Sequence, residues 1–180
     1  MLEVLTTKPW EKLIEERIFK PLGMTNSGFC SAAHGDKRNP TQPWPHKNGT
    51  TPVAPGIEDE NSWVLGPAAT VHCSLKDIAR YIAMHAAREV GPVLKKKETF
   101  EFLHTAISDN GDYARGWRVA RAGWSQGPAI SHDGSNTMNH CSFWIAPERK
   151  AAVAAFTNCD EKGSESCRAA IKAVVDKWCV

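Results

Sequence analysis

Apolar and polar residues alternate most clearly in residues 130–158, where the pattern predicts three short strands. The predicted strands are Ala129–Ser131, His140–Ile145 and Ala152–Thr157. Pro147 and the charged residues beside it separate the last two, which is typical of a hairpin loop. The polar run His132–Ser135 follows the first strand, and its Asp-Gly pair predicts a turn at the rim of the sheet.

Helical spacing of apolar residues predicts two helices in the first half of the chain. Pro9–Leu22 has one apolar face, Thr6 or Thr7 as a cap, and Gly23 as its end. Ser74 is predicted to cap a second helix, which ends at Gly91-Pro92. The residues expected on its inner face are Leu75, Ile78, Tyr81, Ile82 and His85.

Two more helices and an edge strand follow from the same pattern. Lys96–His104 is predicted to be a short helix, and the alternating run Arg115–Arg121 an edge strand. Ser164 is expected to cap a C-terminal helix that packs on the sheet. Its predicted inner face contains Cys167, Ile171, Val174, Val175 and Trp178.

These elements predict an α+β fold, with an antiparallel sheet and flanking helices in a single domain over residues 1–180. Within it, residues 30–61 are rich in proline and poor in large apolar residues, which indicates a long surface loop. Trp44 and His46 are expected to be exposed there, although both could line a cleft.

Composition narrows the possible partners. The 180 residues are 42% hydrophobic and 23% charged, with a net charge of +2, which is too small to favour nucleic acid or an anionic membrane as a partner. There is no apolar run of membrane-spanning length and no signal-peptide pattern after Met1. If Met1 is the native start, a cytoplasmic location is expected.

Six scattered cysteines are expected to be reduced thiols rather than a disulfide framework, because several occupy apolar positions of predicted elements, with one or two pairs expected only if the protein is exported. The sequence has no CxxC and no His/Cys cluster at zinc spacing. We therefore expect no metal and no cofactor.

Several segments in order resemble the serine β-lactamase-related family, which includes class C β-lactamases, D-Ala-D-Ala peptidases and esterases. Residues 10–24, WEKLIEERIFKPLGM, resemble its helix followed by Pro-Leu-Gly-Met. Gly66-Pro67-Ala68, continuing to Asp77-Ile78-Ala79-Arg80, resembles a helix entry of that family. Residues 132–136, HDGSN, resemble its third active-site motif, Lys/His-Thr/Ser-Gly.

The resemblance implies acyl transfer on an ester or amide through a covalent acyl-enzyme. It implies that His132 shares or donates protons, that Gly134 leaves room for substrate, and that the Ser135 amide is an oxyanion donor. Asp133 and Asn136 are the candidate substrate-binding residues. Asp133 stands where the family has Thr or Ser, and its carboxylate is expected to repel anionic substrates.

The two earlier motifs of that family are missing from this sequence. No serine begins Ser-x-x-Lys and neither tyrosine begins Tyr-x-Asn. Ser108-Asp109-Asn110 spells the motif of class A relatives, but it lies too close to His132 and indicates a loop. The sequence therefore predicts the C-terminal part of a serine hydrolase that is inactive alone.

Two other interpretations stay open. A sheet without its N-terminal part would expose an edge and an apolar face, so the chain could be a non-catalytic module covered by a copy of itself or by a partner chain. A hydrolase site of another kind could use Cys30 or Cys73 with His72, although no spacing supports it.

Overall fold

A four-stranded antiparallel sheet in the last third of the chain organises the fold. A computed structural model describes residues 1–32, 35–36, 39–54, 56, 61–108, 111–159 and 161–179. In chain order its strands are β1 (Ser27–Phe29), β2 (Gly35–Asp36), β3 (Asn39–Pro40), β4 (His46–Lys47), β5 (Thr51–Pro52), β6 (Val71–Cys73), β7 (Arg118–Arg121), β8 (Pro128–Ser135), β9 (His140–Ala146) and β10 (Ala151–Thr157).

Helices surround these strands. The α-helices are α1 (Leu2–Thr6), α2 (Trp10–Ile14), α3 (Lys20–Leu22), α4 (Gly66–Ala69), α5 (Leu75–Ala87), α6 (Lys97–His104) and α7 (Gly163–Trp178). The main sheet has the order β10–β9–β8–β7, and every neighbouring pair is antiparallel. This arrangement confirms the predicted α+β class and the predicted edge position of β7.

The core lies between the sheet and α5. Ile78 and Ile82 of α5 are buried against Ile130 of β8 and Ile145 of β9, and Ala152 and Ala154 of β10 pack on the same cluster. On the other face, α7 contacts β9 and β10. The small residues of β10 allow both helices to lie close, so β10 is enclosed between α5 and α7.

The predicted turn at His132–Ser135 is wrong, because these residues are the last four of β8. His132 pairs with Phe143, and Ser135 pairs with His140. The chain turns later, between Asn136 and Asn139, where the Asn136 side chain holds the backbone. The Asp-Gly turn preference is overridden by the ladder with β9, which satisfies backbone groups that a turn would leave open.

The first predicted helix is confirmed in position but contains a π-helical segment. Glu15–Phe19 is π-helical between α2 and α3, and Gly23 ends α3 in the left-handed conformation with φ 66°. No threonine caps this helix, since Pro9 holds the N-cap position without a side-chain bond. Leu13 and Phe19 are its buried residues.

Helix α5 begins as predicted, because the Ser74 hydroxyl accepts a hydrogen bond from the Asp77 amide at 3.2 Å. It ends earlier than predicted, at Ala87, with Arg88 in the left-handed conformation. Leu75 does not face the core and is largely exposed. It lies in the first turn, beyond the part of α5 that covers the sheet.

Helix α7 differs from its prediction in its cap and its inner face. Lys162, not Ser164, is the N-cap residue, and it makes no side-chain cap bond. The buried positions follow a strict four-residue spacing, whereas Val174 and Trp178 are exposed. The buried residues are Gly163, Cys167, Ile171 and Val175.

The proline-rich stretch of residues 30–61 contains two short antiparallel pairs, β2 with β3 and β4 with β5. Residues 33–34, 37–38, 55 and 57–60 lie outside the described part of this stretch, as do Asp109 and Asn110 further on. Trp44 is buried rather than exposed, and its carbonyl accepts a bond from the Asn158 side chain at 2.7 Å. Among the described residues, no helix has the length and apolar character needed to cross a membrane.

Candidate active site

The candidate site residues lie on the end of β8 that extends beyond its neighbour. Strand β7 pairs with residues 128–131 of β8, so in the described part of the chain it does not continue alongside His132–Ser135. Side chains alternate between the two faces of a strand. His132 and Gly134 therefore share the face of Ile130, toward α5, whereas Asp133 and Ser135 belong to the face toward α7.

His132 is half-buried within a group of aromatic rings. Its Nε2 lies 3.2 Å from the hydroxyl oxygen of Tyr113. Its ring stacks on Phe143, the residue opposite it on β9, with 6.5 Å between ring centroids and 27° between planes. Trp117 meets the same Phe143 edge-on at 5.9 Å. These contacts fix the plane of the imidazole.

Tyr113 is a residue that the sequence did not place in the site, because it was considered there only as a possible Tyr-x-Asn residue. Its backbone is held on both sides: the Tyr113 carbonyl accepts from the Ile107 amide at 3.0 Å, and Tyr113 forms a bridge with Arg118. The Ala114 amide bonds the Trp117 carbonyl at 2.7 Å, closing a turn in which Gly116 has φ 88°. This turn brings Tyr113 back beside Arg118 of β7, from where its side chain reaches His132.

Gly134 makes room for a thiol. A β-carbon added at Gly134 would lie 2.9 Å from Sγ of Cys141, the residue opposite it on β9. Burial raises the pKa of the Cys141 thiol to about 11, so this sulfur is a neutral packing group at ordinary pH. The space beside Gly134 on this face is therefore occupied by the protein itself.

The other three candidates are not brought to the His132 face. Asp133 is exposed, and its charge helps burial to raise the pKa of Cys167 on α7. The Ser135 hydroxyl accepts from the Thr137 amide at 3.0 Å. Asn136 Oδ1 accepts from the Asn139 amide at 2.7 Å and holds the turn. Strand alternation thus separates Asp133 from His132.

The alternative cysteine site gains no support. Burial raises the pKa of Cys73 to about 11, which is opposite to what a thiolate nucleophile requires. The His72 ring is engaged at Nδ1 with the Cys30 carbonyl at 2.9 Å. A polar cavity of about 190 Å³ lies here, lined in part by Asn26, Ser27, His72, Cys73 and Ser74. Among the described residues, no group of three or more His, Cys, Asp or Glu could hold a metal ion.

Known structures share this fold. The octameric penicillin-binding protein homologue from Pyrococcus abyssi superposes with a TM-score of 0.64 at 20% identity, over 97% of this chain and 40% of its own. A class C β-lactamase gives a TM-score of 0.66 at 15% identity, over 89% of this chain and 50% of its own. The hydrolase EstCE1, described as having promiscuous acyltransferase activity, gives 0.57 at 17% identity, over 90% of this chain and 49% of its own.

The chain therefore spans about 40% to 50% of the length of the solved structures that it resembles. No curated protein matches it in sequence. The Beta-lactamase family matches residues 1–176, which is nearly the whole chain and includes the strand that carries His132. The chain belongs to the Beta-lactamase family, of whose fold it contains a part.

Proposed function

We propose that residues 1–180 form one incomplete domain, the C-terminal part of a serine hydrolase that transfers acyl groups from an ester or amide. In this proposal the His132 side chain and the backbone of Gly134 and Ser135 line one wall of the cleft, with the Ser135 amide as an oxyanion donor. The nucleophile and its activating groups belong to a segment carrying Ser-x-x-Lys and Tyr-x-Asn. The chain alone has no catalytic serine and is inactive.

The position of His132 carries this proposal. It projects from the overhanging end of β8, on the core side of the sheet, and its ring is held by Tyr113 and Phe143. An imidazole fixed at the rim of a sheet can share a proton with a group that approaches from outside.

The substrate class is less restricted by Asp133 than the sequence suggested. Strand alternation turns its carboxylate toward α7, away from the His132 face. Because Asp133 is also exposed, water screens its charge. The proposal therefore covers small esters and amides, and both neutral esters and anionic β-lactams should be assayed.

The test compares this chain alone with the chain joined to a segment of a Beta-lactamase family member that carries Ser-x-x-Lys and Tyr-x-Asn. Hydrolysis of p-nitrophenyl esters and nitrocefin is measured, together with labelling by a fluorophosphonate probe. We expect no turnover and no labelling of the chain alone, and both activities with the added segment. His132→Ala should then reduce turnover, whereas His72→Ala should not. Robust turnover by the chain alone that is lost in His132→Ala would contradict the proposal.

A second candidate is a self-associating module, and the outer edge of β10 favours it. In the described part of the chain no strand pairs with that edge. Strand β10, AAVAAFT, has neither a charged residue nor a proline, two of the features that protect edge strands from pairing with other chains. Phe156 on this strand and Val174 and Trp178 on α7 are exposed. One solved structure of the same fold is described as octameric.

The two candidates differ in a measurement of mass. Size-exclusion chromatography with light scattering should give a multiple of the 19.8 kDa chain mass if the module self-associates. A strictly monomeric and well-folded chain at all accessible concentrations would exclude this second candidate and leave the first unaffected.

A further inference from the structure

We propose that Tyr113 is a positioning residue that holds neutral His132 in the tautomer with the proton on Nδ1. This inference rests on the proposed function in one respect, since the ring nitrogen that it identifies as the donor would act in the proposed cleft. The tautomer itself is inferred from the contact between Tyr113 and His132.

The side chains of Tyr113 and His132 are in direct contact. Tyr113 Oη and His132 Nε2 are 3.2 Å apart, and the two rings meet at 66°. The imidazole also stacks on Phe143. It therefore contacts two aromatic side chains, and its Nε2 is the nitrogen that faces the phenol hydroxyl.

Two backbone contacts hold Tyr113 in place. Its carbonyl accepts a hydrogen bond from the Ile107 amide, and its backbone forms an antiparallel bridge with Arg118 of β7, which in turn pairs with Ser131 of β8. The backbone of Tyr113 is therefore connected through β7 to the strand that carries His132.

The relative strengths of the donors and acceptors decide the direction of the hydrogen bond between Tyr113 and His132. In a neutral imidazole one nitrogen carries a proton and the other accepts. A phenol O–H is a stronger donor than an imidazole N–H, and an imidazole nitrogen is a stronger acceptor than a phenol oxygen. The stable arrangement has Tyr113 donating to Nε2, which leaves the ring proton on Nδ1.

In this tautomer the two ring nitrogens of His132 have different roles. Nδ1 carries the ring proton and would donate it to any acceptor placed beside it in the proposed cleft. Nε2 exchanges protons through the Tyr113 hydroxyl, which belongs to a side chain that is exposed to solvent. No covalent step is involved, and Tyr113 itself touches no reacting atom.

The experiment is nitrogen-15 NMR of the histidine rings at about pH 8, where histidine side chains are largely neutral. The His132 signals are assigned by their loss in His132→Gln. We expect Nδ1 to be protonated in the wild-type chain. Removing one hydrogen bond in Tyr113→Phe should shift the tautomer ratio about fivefold toward Nε2–H.

The matched control is Tyr81→Phe, the same change at the other tyrosine, which packs on His85 and Trp117 instead. It should leave the His132 tautomer unchanged. Amide spectra show whether each variant is folded, and Phe143→Leu provides a second folded variant that keeps the Tyr113 bond and should keep the tautomer.

A wild-type His132 protonated on Nε2, or an unchanged ratio in Tyr113→Phe, would overturn the inference. The measurement needs neither substrate nor nucleophile. Failure of the joined protein to turn over substrate would therefore contradict the proposed function while leaving this result intact, and the reverse also holds.

Discussion

At the scale of single residues, the space that a side chain at position 134 would need is already occupied, which explains the glycine there. Cys141 Sγ occupies the position next to it, 2.9 Å from where a β-carbon would lie. Both residues belong to the central strand pair, so neither can move away easily. The glycine thus serves close packing between β8 and β9, two residues along from His132.

Gly134→Ala is expected to destabilise the protein by about 1–3 kcal/mol, because the new methyl overpacks against a buried sulfur. Urea unfolding measures the change. The double variant with Cys141→Ala should recover most of the loss, since the smaller side chain frees the space. Additive losses in the double variant would contradict this account.

A second residue-scale feature is the buried pair of His85 and His104. Nδ1 of His85 lies 2.9 Å from Nε2 of His104, and Phe100 and Trp117 pack against both rings. Burial lowers the pKa of His85 to about 3, with a smaller contribution from His104. Burial lowers the pKa of His104 to about 4, and the Arg88 charge adds to the effect.

This pair predicts a loss of stability in acid. Histidine in the unfolded chain protonates near pH 6.5, whereas the buried rings resist protonation until about pH 3–4. Between these values the unfolded state binds more protons, so stability is complete above pH 6.5 and falls as the pH drops. The free energy of unfolding should fall by a few kcal/mol, on the order expected from such shifts.

Urea unfolding at a series of pH values provides the measurement. The double variant His85→Gln/His104→Gln should show a weaker dependence on pH, and Tyr81→Phe, which keeps both imidazoles, should retain the wild-type dependence. Equal slopes in the wild type and the double variant would show that other groups cause the acid sensitivity.

At the scale of elements, α5 is anchored by a buried carboxylate. Asp77 accepts bonds from the Asn26 amide at 2.6 Å, the Ser27 hydroxyl at 2.9 Å and the Arg80 guanidinium at 3.0 Å. Its side chain is fully buried. One residue in the first turn of α5 therefore fixes the segment that leads into β1.

Asp77→Ala is expected to cost about 1–3 kcal/mol, because three part-buried hydrogen bonds lose their common acceptor. Ser74→Ala removes only the cap bond to Asp77 and should cost about 1 kcal/mol. Thermal and urea unfolding of both variants test the order. A larger loss for Ser74→Ala would show that the cap, not the carboxylate, holds the helix.

The sequence predicted elements better than it predicted their ends and faces. The β9–β10 hairpin and the start of α5 followed from local signals, a proline loop and a serine cap, that tertiary contacts reinforce. The turn at His132–Ser135 failed because pairing with β9 outweighs the local Asp-Gly preference. On α7, helical spacing could not show that the sheet covers only a narrow stripe, leaving Val174 and Trp178 outside.

The arrangement of the candidate site residues was foreseeable only in part, for a similar reason. The family resemblance indicated His132 as a candidate, but the residues were interpreted as a turn rather than a strand, so the separation of Asp133 from His132 onto opposite faces was missed. Tyr113 is nineteen residues from His132 and reaches it through the bridge to Arg118. No local pattern reports such a contact.

At the scale of the whole molecule, the outer edge of β10 is the surface through which the second candidate function would act. Phe156→Lys places a charge on this edge and should shift the chain toward the monomer if β10 mediates self-association. Val90→Lys, at an exposed position beyond α5, is the matched control and should not change the mass. Light scattering across a range of concentrations measures both. Equal shifts in the two variants would point to a general charge effect.

The enclosure of β10 between α5 and α7 also determines how this molecule can come apart. An edge strand is ordinarily the first strand of a sheet to fray, but here two helices pack on the opposite faces of β10. Peeling it away would require lifting α5 and α7 together. The outer edge of β10 thus leaves backbone groups available for pairing with another strand, while the strand itself is held in a fixed position by the two helices.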